Sequence, residues 1–396
     1  MQADHELLLL RGAGEYFASL IAAIDTALHE VRLETYIFHL EKAAEPVGGA
    51  LIRAAQRGVA VTLVVDGVGT PNLPADWQAR FKAAGVHWHI YAPLGRLGLL
   101  VPSHWRRLHR KLCVIDGQVV FCGGINLQDD WFDLNHGPLT APRFDFAVRV
   151  SGPLVRDAHA AMTQFWWRLQ AVESARQVHW LQAWQSLQKA TAAATEAHRV
   201  SAATGQARAG LVLRDNLLNR SRIERAYRLA LGAARQDIIL ANAYFLPGRK
   251  IRRALIHAAQ RGVRVRLLLQ GRYEYFMQYH AAHALYGGLL EAGVEIYEYT
   301  VSFLHAKVAV IDGQWATVGS SNMDPLSLLL AREANVVVHD ANFAGQLRHE
   351  LEQAIQHGAR SLDLQQHRQR SWRQKLLDRS ALLLMRLLLF VNGKRY

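Results

Sequence analysis

The sequence has few cysteines and no long uninterrupted apolar run. Cys113 and Cys122 are the two cysteines among 396 residues, which excludes a disulfide-rich scaffold and predicts buried thiols in a reducing compartment. The most apolar stretch, residues 381–391, contains Arg386 and is shorter than the roughly 18 residues that a membrane span needs. The first twelve residues lack the basic start and the apolar length of a signal peptide. We therefore expect no export and only peripheral membrane contact.

Length and charge set the next limits. A chain of 396 residues exceeds the size at which a single core usually keeps growing, so two domains are expected. The composition, 51% hydrophobic and 20% charged, is that of a globular protein. The formal net charge of +13 creates a positive field that attracts nucleic acid, anionic lipid or phosphorylated substrates. Charge alone leaves these three partners open.

The chain repeats itself once. Residues 50–67 (ALIRAAQRGVAVTLVVDG) return as residues 254–271 (ALIHAAQRGVRVRLLLQG), with AAQRGV identical. Each copy predicts an amphipathic helix that ends at a glycine, Gly58 or Gly262, and is followed by a strand. Further strands are predicted in pairs upstream and downstream, at residues 31–38 with 237–246 and after residues 84–86 with 292–294. The fold class is therefore α/β, with two homologous domains of mixed sheets flanked by helices.

The repeat also predicts the domain organisation. We expect a first domain at residues 1–175 and a second at 211–362. A helical connector is expected at 176–210, loose near its end, because this stretch is rich in Ala, Gln and Ser. A basic, leucine-rich amphipathic tail follows at 363–396.

A set of polar residues recurs at matched places in the two copies. The first copy has His109, Lys111 and Asp116 before a GGIN segment that contains Gly124 and Asn126. The matching members of the second copy, ahead of and within a GSSN segment, are His305, Lys307, Asp312, Ser320 and Asn322. One such pattern is weak evidence, but two at matched places in a repeat are strong.

Strand geometry gives the pattern a chemical meaning. Residues i and i+2 of a strand point to the same side, so each histidine shares a pocket with its lysine. The glycines and small residues allow a close backbone approach, and Asn126 and Asn322 offer amide donors to a phosphate. A neutral imidazole can attack phosphorus, lysines can neutralise the phosphoryl oxygens, and a second imidazolium can protonate the leaving oxygen. This set suits phosphodiester chemistry without a metal or other cofactor.

The two aspartates have two interpretations. Asp116 and Asp312 can take part in catalysis directly, or each can form a turn with the glycine that follows, Gly117 or Gly313. The sequence leaves this choice open.

The pattern H-x-K-x4-D followed by G-[GS]-x-N, present twice, resembles the signature of the phospholipase D superfamily. The segments AAQRGV, HRKLCVIDG, ANAYFLPG and HAKVAVIDGQWATVGSSNMDPLSL resemble bacterial cardiolipin synthases over residues 8–359. The resemblance implies two phospholipase D-like domains related by pseudo-twofold symmetry, with both histidines acting on one phosphorus atom.

The resemblance also implies individual roles. His109 would be the nucleophile and His305 the general acid and later base, although the sequence does not fix that order. Asp145 and Glu333, which follow the two motifs, would orient the histidine rings by accepting their other N–H. The chain departs from the family pattern at Ala331, where an Asn often stands, and this puts one supporting hydrogen bond in doubt.

The substrate has to be inferred from the residues around the motifs, because the superfamily also contains nucleases and hydrolases. Residues 94–105 form an apolar stretch edged by Arg106 and Arg107, and residues 372–396 are rich in leucine with several basic residues. Each can be an interfacial segment or can pack within the protein. We find no run of aromatic and basic residues typical of a nucleic-acid groove. The expected partners are an anionic phospholipid, phosphatidylglycerol, and a bacterial inner membrane surface on its cytoplasmic side. No nucleic acid is expected, and the oligomeric state is left open.

Overall fold

The computed structural model describes residues 1–94, 98, 106–133, 136–176, 180–196, 205–215, 219, 221–273, 276–324 and 331–391. The strands are β1 (Gln2–Asp4), β2 (Glu6–Arg11), β3 (Glu30–Thr35), β4 (Ala60–Asp66), β5 (His87–Tyr91), β6 (Arg107–Leu108), β7 (Lys111–Ile115), β8 (Val119–Gly123), β9 (Phe132–Asp133), β10 (Gly137–Pro138), β11 (Phe146–Ser151), β12 (Gly205–Arg214), β13 (Asp237–Asn242), β14 (Arg264–Gln270), β15 (Glu295–Tyr299), β16 (Lys307–Ile311), β17 (Trp315–Gly319), β18 (Ala331–His339) and β19 (Ala359–Leu362).

The helices are α1 (Gly12–Asp25), α2 (Glu45–Gln56), α3 (Ala75–Ala84), α4 (Leu154–Arg176), α5 (Trp180–Glu196), α6 (Arg222–Ala233), α7 (Arg249–Gln260), α8 (Phe276–Glu291), α9 (Ala341–Gly358), α10 (Leu364–Arg368) and α11 (Trp372–Val391). A short 3-10 helix, Lys42–Ala44, precedes α2.

The chain forms two compact units. Unit 1 contains Met1–Asp129 and Ala147–Leu211, and unit 2 contains Asp130–Phe146 and Val212–Tyr396. The expected linear division differs from this arrangement, because Asp130–Phe146 comes from the first half of the sequence and belongs to unit 2. Helix α5 lies in the expected connector, where β12 occupies the part that the sequence indicated as loose.

Six strands follow the same order in both units, β11-β8-β7-β3-β4-β5 and β18-β17-β16-β13-β14-β15, and each unit adds one edge strand, β2 or β19. The first three strands of each repeat, β3-β4-β5 and β13-β14-β15, run parallel. The motif strands β7 and β16 run antiparallel to β3 and β13. The predicted α/β class with two homologous mixed sheets is confirmed.

The identical segment AAQRGV ends its helix in the same way in both copies. Gly58 and Gly262 have φ of +89° and +87°, a left-handed conformation that only glycine adopts without strain. The residues after them, Val59 and Val263, donate their N–H groups to carbonyls of the last helical turn at 3.1 Å in both copies. The valines that follow lead directly into β4 and β14, so the predicted helix–glycine–strand unit is present twice.

Each unit has its own apolar core. In unit 1, buried side chains from α1 and α2 pack on the sheet strands β3 and β4, with Leu20, Ile24, Leu51 and Leu63 fully enclosed. In unit 2, α6 and α7 cover β13 and β14 in the same manner. Cys113 and Cys122 are buried free thiols, and burial raises the pKa of Cys113.

Candidate active site

The lysine of each motif occupies the first position of a buried strand. Lys111 begins β7 and Lys307 begins β16, and their side chains are 2% and 0% exposed. Each ammonium group donates to the carbonyl oxygen of the histidine two residues earlier, at 2.7 Å for Lys111 and His109. The two motifs therefore hold histidine and lysine together in the same local geometry, each in its own unit.

The histidine of unit 2 is held by a carboxylate. Asp145 Oδ2 lies 2.6 Å from His305 Nδ1, and Lys307 Nζ lies 2.8 Å from the same nitrogen and 4.0 Å from Asp145 Oδ2. Because an ionised carboxylate can only accept, the contact with Asp145 favours the tautomer that carries the proton on His305 Nδ1. Asp145 is 3% exposed at its side chain and His305 is 19% exposed. The ring is thus fixed yet remains accessible.

Backbone pairing places Asp145 beside His305. Phe144 N donates to Phe303 O at 2.9 Å, and the amides of His305 and Ala306 both donate to Phe144 O, at 2.9 and 3.0 Å. These bonds explain why Asp130–Phe146 belongs to unit 2. Although Asp145 follows the first motif in the sequence, it contacts the histidine of the second.

The histidine of unit 1 has an aromatic neighbour. The rings of Tyr36 and His109 lie edge to face with their centroids 5.0 Å apart. Lys111 Nζ lies 5.4 Å from the centroid of the same tyrosine ring. The Arg110 guanidinium, between the histidine and the lysine, forms a buried ion pair with Glu34, with Nη2 2.8 Å from Oε1.

Asp116 and Asp312 cap turns at the far ends of the motif strands. Asp116 accepts backbone N–H groups from Leu28, His29 and Glu30, each at 2.8 Å. Asp312 accepts three in the same way from residues 235–237 at 2.8 to 3.0 Å. Both have positive φ, +50° and +51°. Each lysine is the first residue of its motif strand, and each aspartate follows the last residue of that strand. This separation favours the turn interpretation over direct catalysis.

Burial and backbone donors act in opposite directions on these two carboxyl groups. Partial burial alone would raise the pKa of Asp116, but the N–H groups of Glu30, Leu28 and His29 outweigh it, and the pKa falls below its ordinary value. The pKa of Asp312 is lowered by the same balance. Both groups are therefore charged at neutral pH and bind backbone.

The small residues that follow β8 and β17 are enclosed. Gly124 is buried, and Asn126 and Asn322 are 4% and 3% exposed. Asn126 Oδ1 accepts from Ile37 N at 3.4 Å. A Cβ on Gly319 would lie 2.3 Å from Asn335 Cγ and 2.6 Å from the Ala334 carbonyl oxygen, so this position has room only for glycine.

Glu333 is fully buried. The Ser320 hydroxyl donates to Glu333 Oε2 at 2.5 Å and accepts from Ala334 N at 3.1 Å. Glu333 is therefore not a surface carboxylate. The Ala331 carbonyl accepts from Arg214 at the start of the same strand, β18.

Other predicted features have mixed outcomes. Of the apolar stretch 94–105, the described residues are only Leu94 and Gly98, so its role lies outside the described residues. Within the described part of the chain, no group of three or more His, Cys, Asp or Glu is arranged to hold a metal ion. No described helix combines the length and apolarity needed to cross a membrane.

The C-terminal helix α11 has two unlike faces. Ala381 and Met385 are buried against Ala281 and Leu285 of α8, so one face packs within unit 2. Asp378, 3% exposed, ties the helix to α8 through His280 Nδ1 at 2.7 Å. The other face exposes large apolar side chains, namely Trp372, Leu376, Leu383 and Leu387, which are 69, 56, 63 and 57% exposed. The packing interpretation thus applies to one face, and the interfacial interpretation of the other face remains a prediction.

A fold with two equivalent sheets, each presenting one His-x-Lys pair, defines the class of twin-motif phospholipase D-like proteins. The family model described as "Cardiolipin synthase, PLD-like domain" matches residues 20–139 and 227–355. This chain belongs to that family of phosphatidyltransferase enzymes.

Individual relatives agree with this assignment. Cardiolipin synthase B of Escherichia coli K12 is 38% identical over 378 residues, covering 93% of this chain and 84% of the relative. The cardiolipin synthase of Geobacillus kaustophilus is 31% identical, covering 96% and 72%.

Solved structures share the fold. A phosphatidylserine synthase from Haemophilus influenzae superposes with a TM-score of 0.67 at 11% identity, covering 98% of this chain and 96% of that one. The polyphosphate kinase of Porphyromonas gingivalis gives 0.56 at 14% identity, covering 91% and 49%. At such identities the likeness concerns the fold alone.

Proposed function

We propose that this protein is a cardiolipin synthase that transfers a phosphatidyl group from one phosphatidylglycerol molecule to another and releases glycerol. The observation that carries the proposal is the ring of His305, which Asp145 holds at 2.6 Å beside the buried Lys307. A histidine with one fixed N–H and one accessible nitrogen suits repeated proton transfer to and from alcohol oxygens. Membership in the cardiolipin synthase family and the names of its relatives support the choice of lipid.

The proposed reaction has two steps. In the first, His109 attacks phosphorus, a P–N bond forms, the P–O bond to glycerol breaks, and His305 gives its Nε2 proton to the leaving oxygen. In the second, His305 takes the proton from a hydroxyl of the second phosphatidylglycerol. That oxygen attacks phosphorus, and the P–N bond breaks. Lys111 and Lys307 stabilise the charge on the phosphoryl oxygens.

Asp145, Asp116 and Asp312 have supporting roles in this proposal. Asp145 orients His305 and stabilises its imidazolium, as the third member of other catalytic triads does. Asp116 and Asp312 stabilise the turns that follow the motif strands and touch no substrate. Asn126, Asn322, Gly124 and Ser320 remain proposed phosphate-binding positions, and Glu333 remains a proposed orienting residue.

The reaction is tested by product analysis. Purified protein is incubated with phosphatidylglycerol vesicles in the presence of EDTA, and the lipids are analysed by mass spectrometry. We expect cardiolipin and glycerol in equal amounts. Phosphatidic acid without cardiolipin would show a hydrolase, and loss of activity in EDTA would contradict the metal-independent mechanism.

The exposed face of α11 supports peripheral binding to an anionic membrane, proposed to be the cytoplasmic side of the inner membrane. Trp372, Leu376, Leu383 and Leu387 recur at helical spacing, and the exposed residues Arg373 and Arg386 lie on the same helix. Such a helix inserts apolar side chains at the acyl boundary while its cations meet anionic headgroups.

Membrane binding is tested on that face. The double variant Leu383→Gln/Leu387→Gln should weaken binding to phosphatidylglycerol vesicles by about 100-fold, roughly tenfold for each leucine withdrawn from the bilayer. Leu229→Gln is the matched control, because Leu229 is equally exposed, at 64%, on α6. Sedimentation with vesicles measures the change, and equal losses in both variants would exclude α11 as the binding face.

A further inference from the structure

A small, half-open cleft lies beside the second motif in unit 2. Its lining includes Ala243, Tyr244, Gln270, Arg272, Tyr279 and His283. Two backbone contacts join this lining to the motif. Ala243 N donates to Ala306 O at 3.1 Å, and Leu304 N donates to Gln270 Oε1 at 3.3 Å. The cleft therefore adjoins the segment that carries His305.

Two donors in this cleft have no acceptor. Gln270 Oε1 accepts from Leu304 N and Arg272 N, which directs the Nε2 amide the other way. Among the described residues, no hydrogen-bond partner meets Gln270 Nε2 or Arg272 Nη1, although both atoms are buried from solvent. The Arg272 guanidinium lies 5.1 Å from the centroid of the Phe303 ring, which holds its plane. Buried donors without acceptors are unfavourable unless a ligand supplies the oxygens.

The matched place in unit 1 is already satisfied. The strand register pairs Gln270 with Asp66, since β4 and β14 end at these residues. Asp66 Oδ2 accepts from Leu108 N at 2.7 Å, as Gln270 does from Leu304 N, and Asp66 also forms an ion pair with Arg107 at 3.2 Å. In unit 1 the carboxylate thus pairs with a cation, whereas in unit 2 the matched side chain is a neutral amide whose Nε2 has no partner among the described residues.

A second difference between the copies lies at the edge of the cleft. The pairing of β3 with β7 and of β13 with β16 aligns Tyr36 with Ala243. The Tyr36 ring lies next to His109 with the ring centroids 5.0 Å apart, whereas the matched residue Ala243 has no ring and lines the cleft.

We infer that this cleft is the binding subsite for the phosphate-bearing headgroup of the acceptor alcohol, with Arg272 and Gln270 as its phosphate donors. This inference rests on the proposed transferase function, in which His305 deprotonates the acceptor hydroxyl. The acceptor must then lie next to His305, and phosphatidylglycerol carries both a free hydroxyl and an anionic phosphate. Arg272 and Gln270 bind the phosphate oxygens as charge-assisted and neutral donors.

The test compares two acceptors that share the same donor. Cardiolipin formation needs phosphatidylglycerol as acceptor, whereas exchange of radiolabelled glycerol into phosphatidylglycerol uses an acceptor without phosphate. Arg272→Gln should slow cardiolipin formation about 10- to 100-fold, the loss expected for a charge-assisted hydrogen bond, and leave glycerol exchange at the wild-type rate. Arg253→Gln is the control, because Arg253 is an exposed arginine of α7, and it should leave both rates unchanged.

A second variant guards against misfolding. Gln270→Glu keeps the size of the side chain and the acceptor for Leu304 N, but it replaces the Nε2 donor with a negatively charged oxygen that repels a phosphate. It should show the same split between the two assays. Equal slowing of both assays in both variants, or no slowing in either, would overturn the subsite.

Soluble glycerol 1-phosphate separates a lipid source from a free one. It should inhibit cardiolipin formation by the wild type and lose this effect in Arg272→Gln. If it instead becomes an acceptor, the wild type and not Arg272→Gln will form phosphatidylglycerol phosphate, and the subsite accepts soluble phosphate alcohols. A wild type that yields only phosphatidic acid refutes the synthase proposal. In that case glycerol 1-phosphate should inhibit hydrolysis by the wild type but not by Arg272→Gln if the subsite exists. A wild type whose hydrolysis is not inhibited would refute the subsite.

Discussion

The two copies of the motif share their scaffold and differ in the side chains that surround the histidine. The order of six strands, the glycine that ends the helix and the aspartate that caps the turn are the same in unit 1 and unit 2. Around His109 the polar groups pair with each other, as Glu34 does with Arg110. Around His305 the chain places Asp145 on the ring and leaves Arg272 facing a cleft. The two units therefore share one frame and differ in the side chains around each histidine.

Substitution of the two histidines should have the largest effects, and these effects should differ between the two units. His109→Ala should abolish turnover, by about 10³-fold or more, and prevent formation of a phosphatidyl-enzyme, because it removes the nucleophile. His305→Ala should lose a similar factor in turnover but let the phosphatidyl-enzyme accumulate, because the second step lacks its base. Single-turnover labelling with acyl-labelled phosphatidylglycerol measures both, and accumulation in the opposite variant would reverse the roles.

Asp145 should matter to only one of the two histidines. Asp145→Asn should reduce turnover by about 10²-fold or more and alter the pH profile of the second step, because the His305 tautomer is no longer fixed. Asp145→Glu should restore part of the rate.

The control for Asp145 is Asp133→Asn, a change in the same segment, at a residue that pairs with Arg143. It should leave the pH profile unchanged. If both variants lose activity with the same profile, Asp145 acts only through folding.

The ion pair between Glu34 and Arg110 allows the two units to be compared by the free energy of unfolding. Glu34 and Arg110 align with Ala241 and Ala306, so the pair is absent from unit 2. Arg110→Ala should destabilise by about 3–5 kcal/mol because it leaves Glu34 buried without its partner. The double variant Glu34→Ala/Arg110→Ala, which copies unit 2, should recover most of that loss. Urea unfolding measures both, and equal loss in the two variants would show that the pair itself stabilises the unit.

The capping aspartates should have the smallest effects, and these should be alike. Asp116→Asn and Asp312→Asn should each destabilise by about 1–3 kcal/mol at pH 7, since three backbone donors lose a charged acceptor. The folded pKa of each carboxyl lies below the ordinary value of 3.8. The contribution is therefore present above about pH 4 and is lost as the pH falls through the folded pKa.

Urea midpoints at pH 7 and pH 3 measure this dependence for each variant and the wild type. Catalysis per folded molecule should stay within a small factor of the wild type in both variants. A large loss of turnover in the folded variants would restore the aspartates to a direct catalytic role.

Much of the fold could be predicted from the sequence, because the repeat displays each helix, glycine and strand twice. The class, the paired strands and the shared pocket of histidine and lysine depend on local periodicity, which a sequence shows directly. The contact of Asp145 with His305 depends on which unit residues 130–146 join, and that is decided by backbone bonds to residues 303–306. No local pattern carries this information.

The cleft in unit 2 was missed for a related reason. Tyr36 and Ala243, like Asp66 and Gln270, differ at matched positions of the repeat, and the sequence comparison concentrated on what the copies share. Their significance follows from strand register, which aligns each residue with its counterpart. Tyr36 contacts His109, whereas Ala243 lines the cleft. A search for differences between the copies would have found both positions.

Trapping the covalent intermediate tests the central claim most directly. The enzyme is mixed with phosphatidylglycerol that carries radioactive phosphorus, quenched with base to preserve phosphohistidine, digested and mapped. We predict label on the peptide that contains His109, and a chase with unlabelled phosphatidylglycerol should move that label into cardiolipin. Label on the His305 peptide, or undiminished cardiolipin formation without any labelled peptide, would contradict the account.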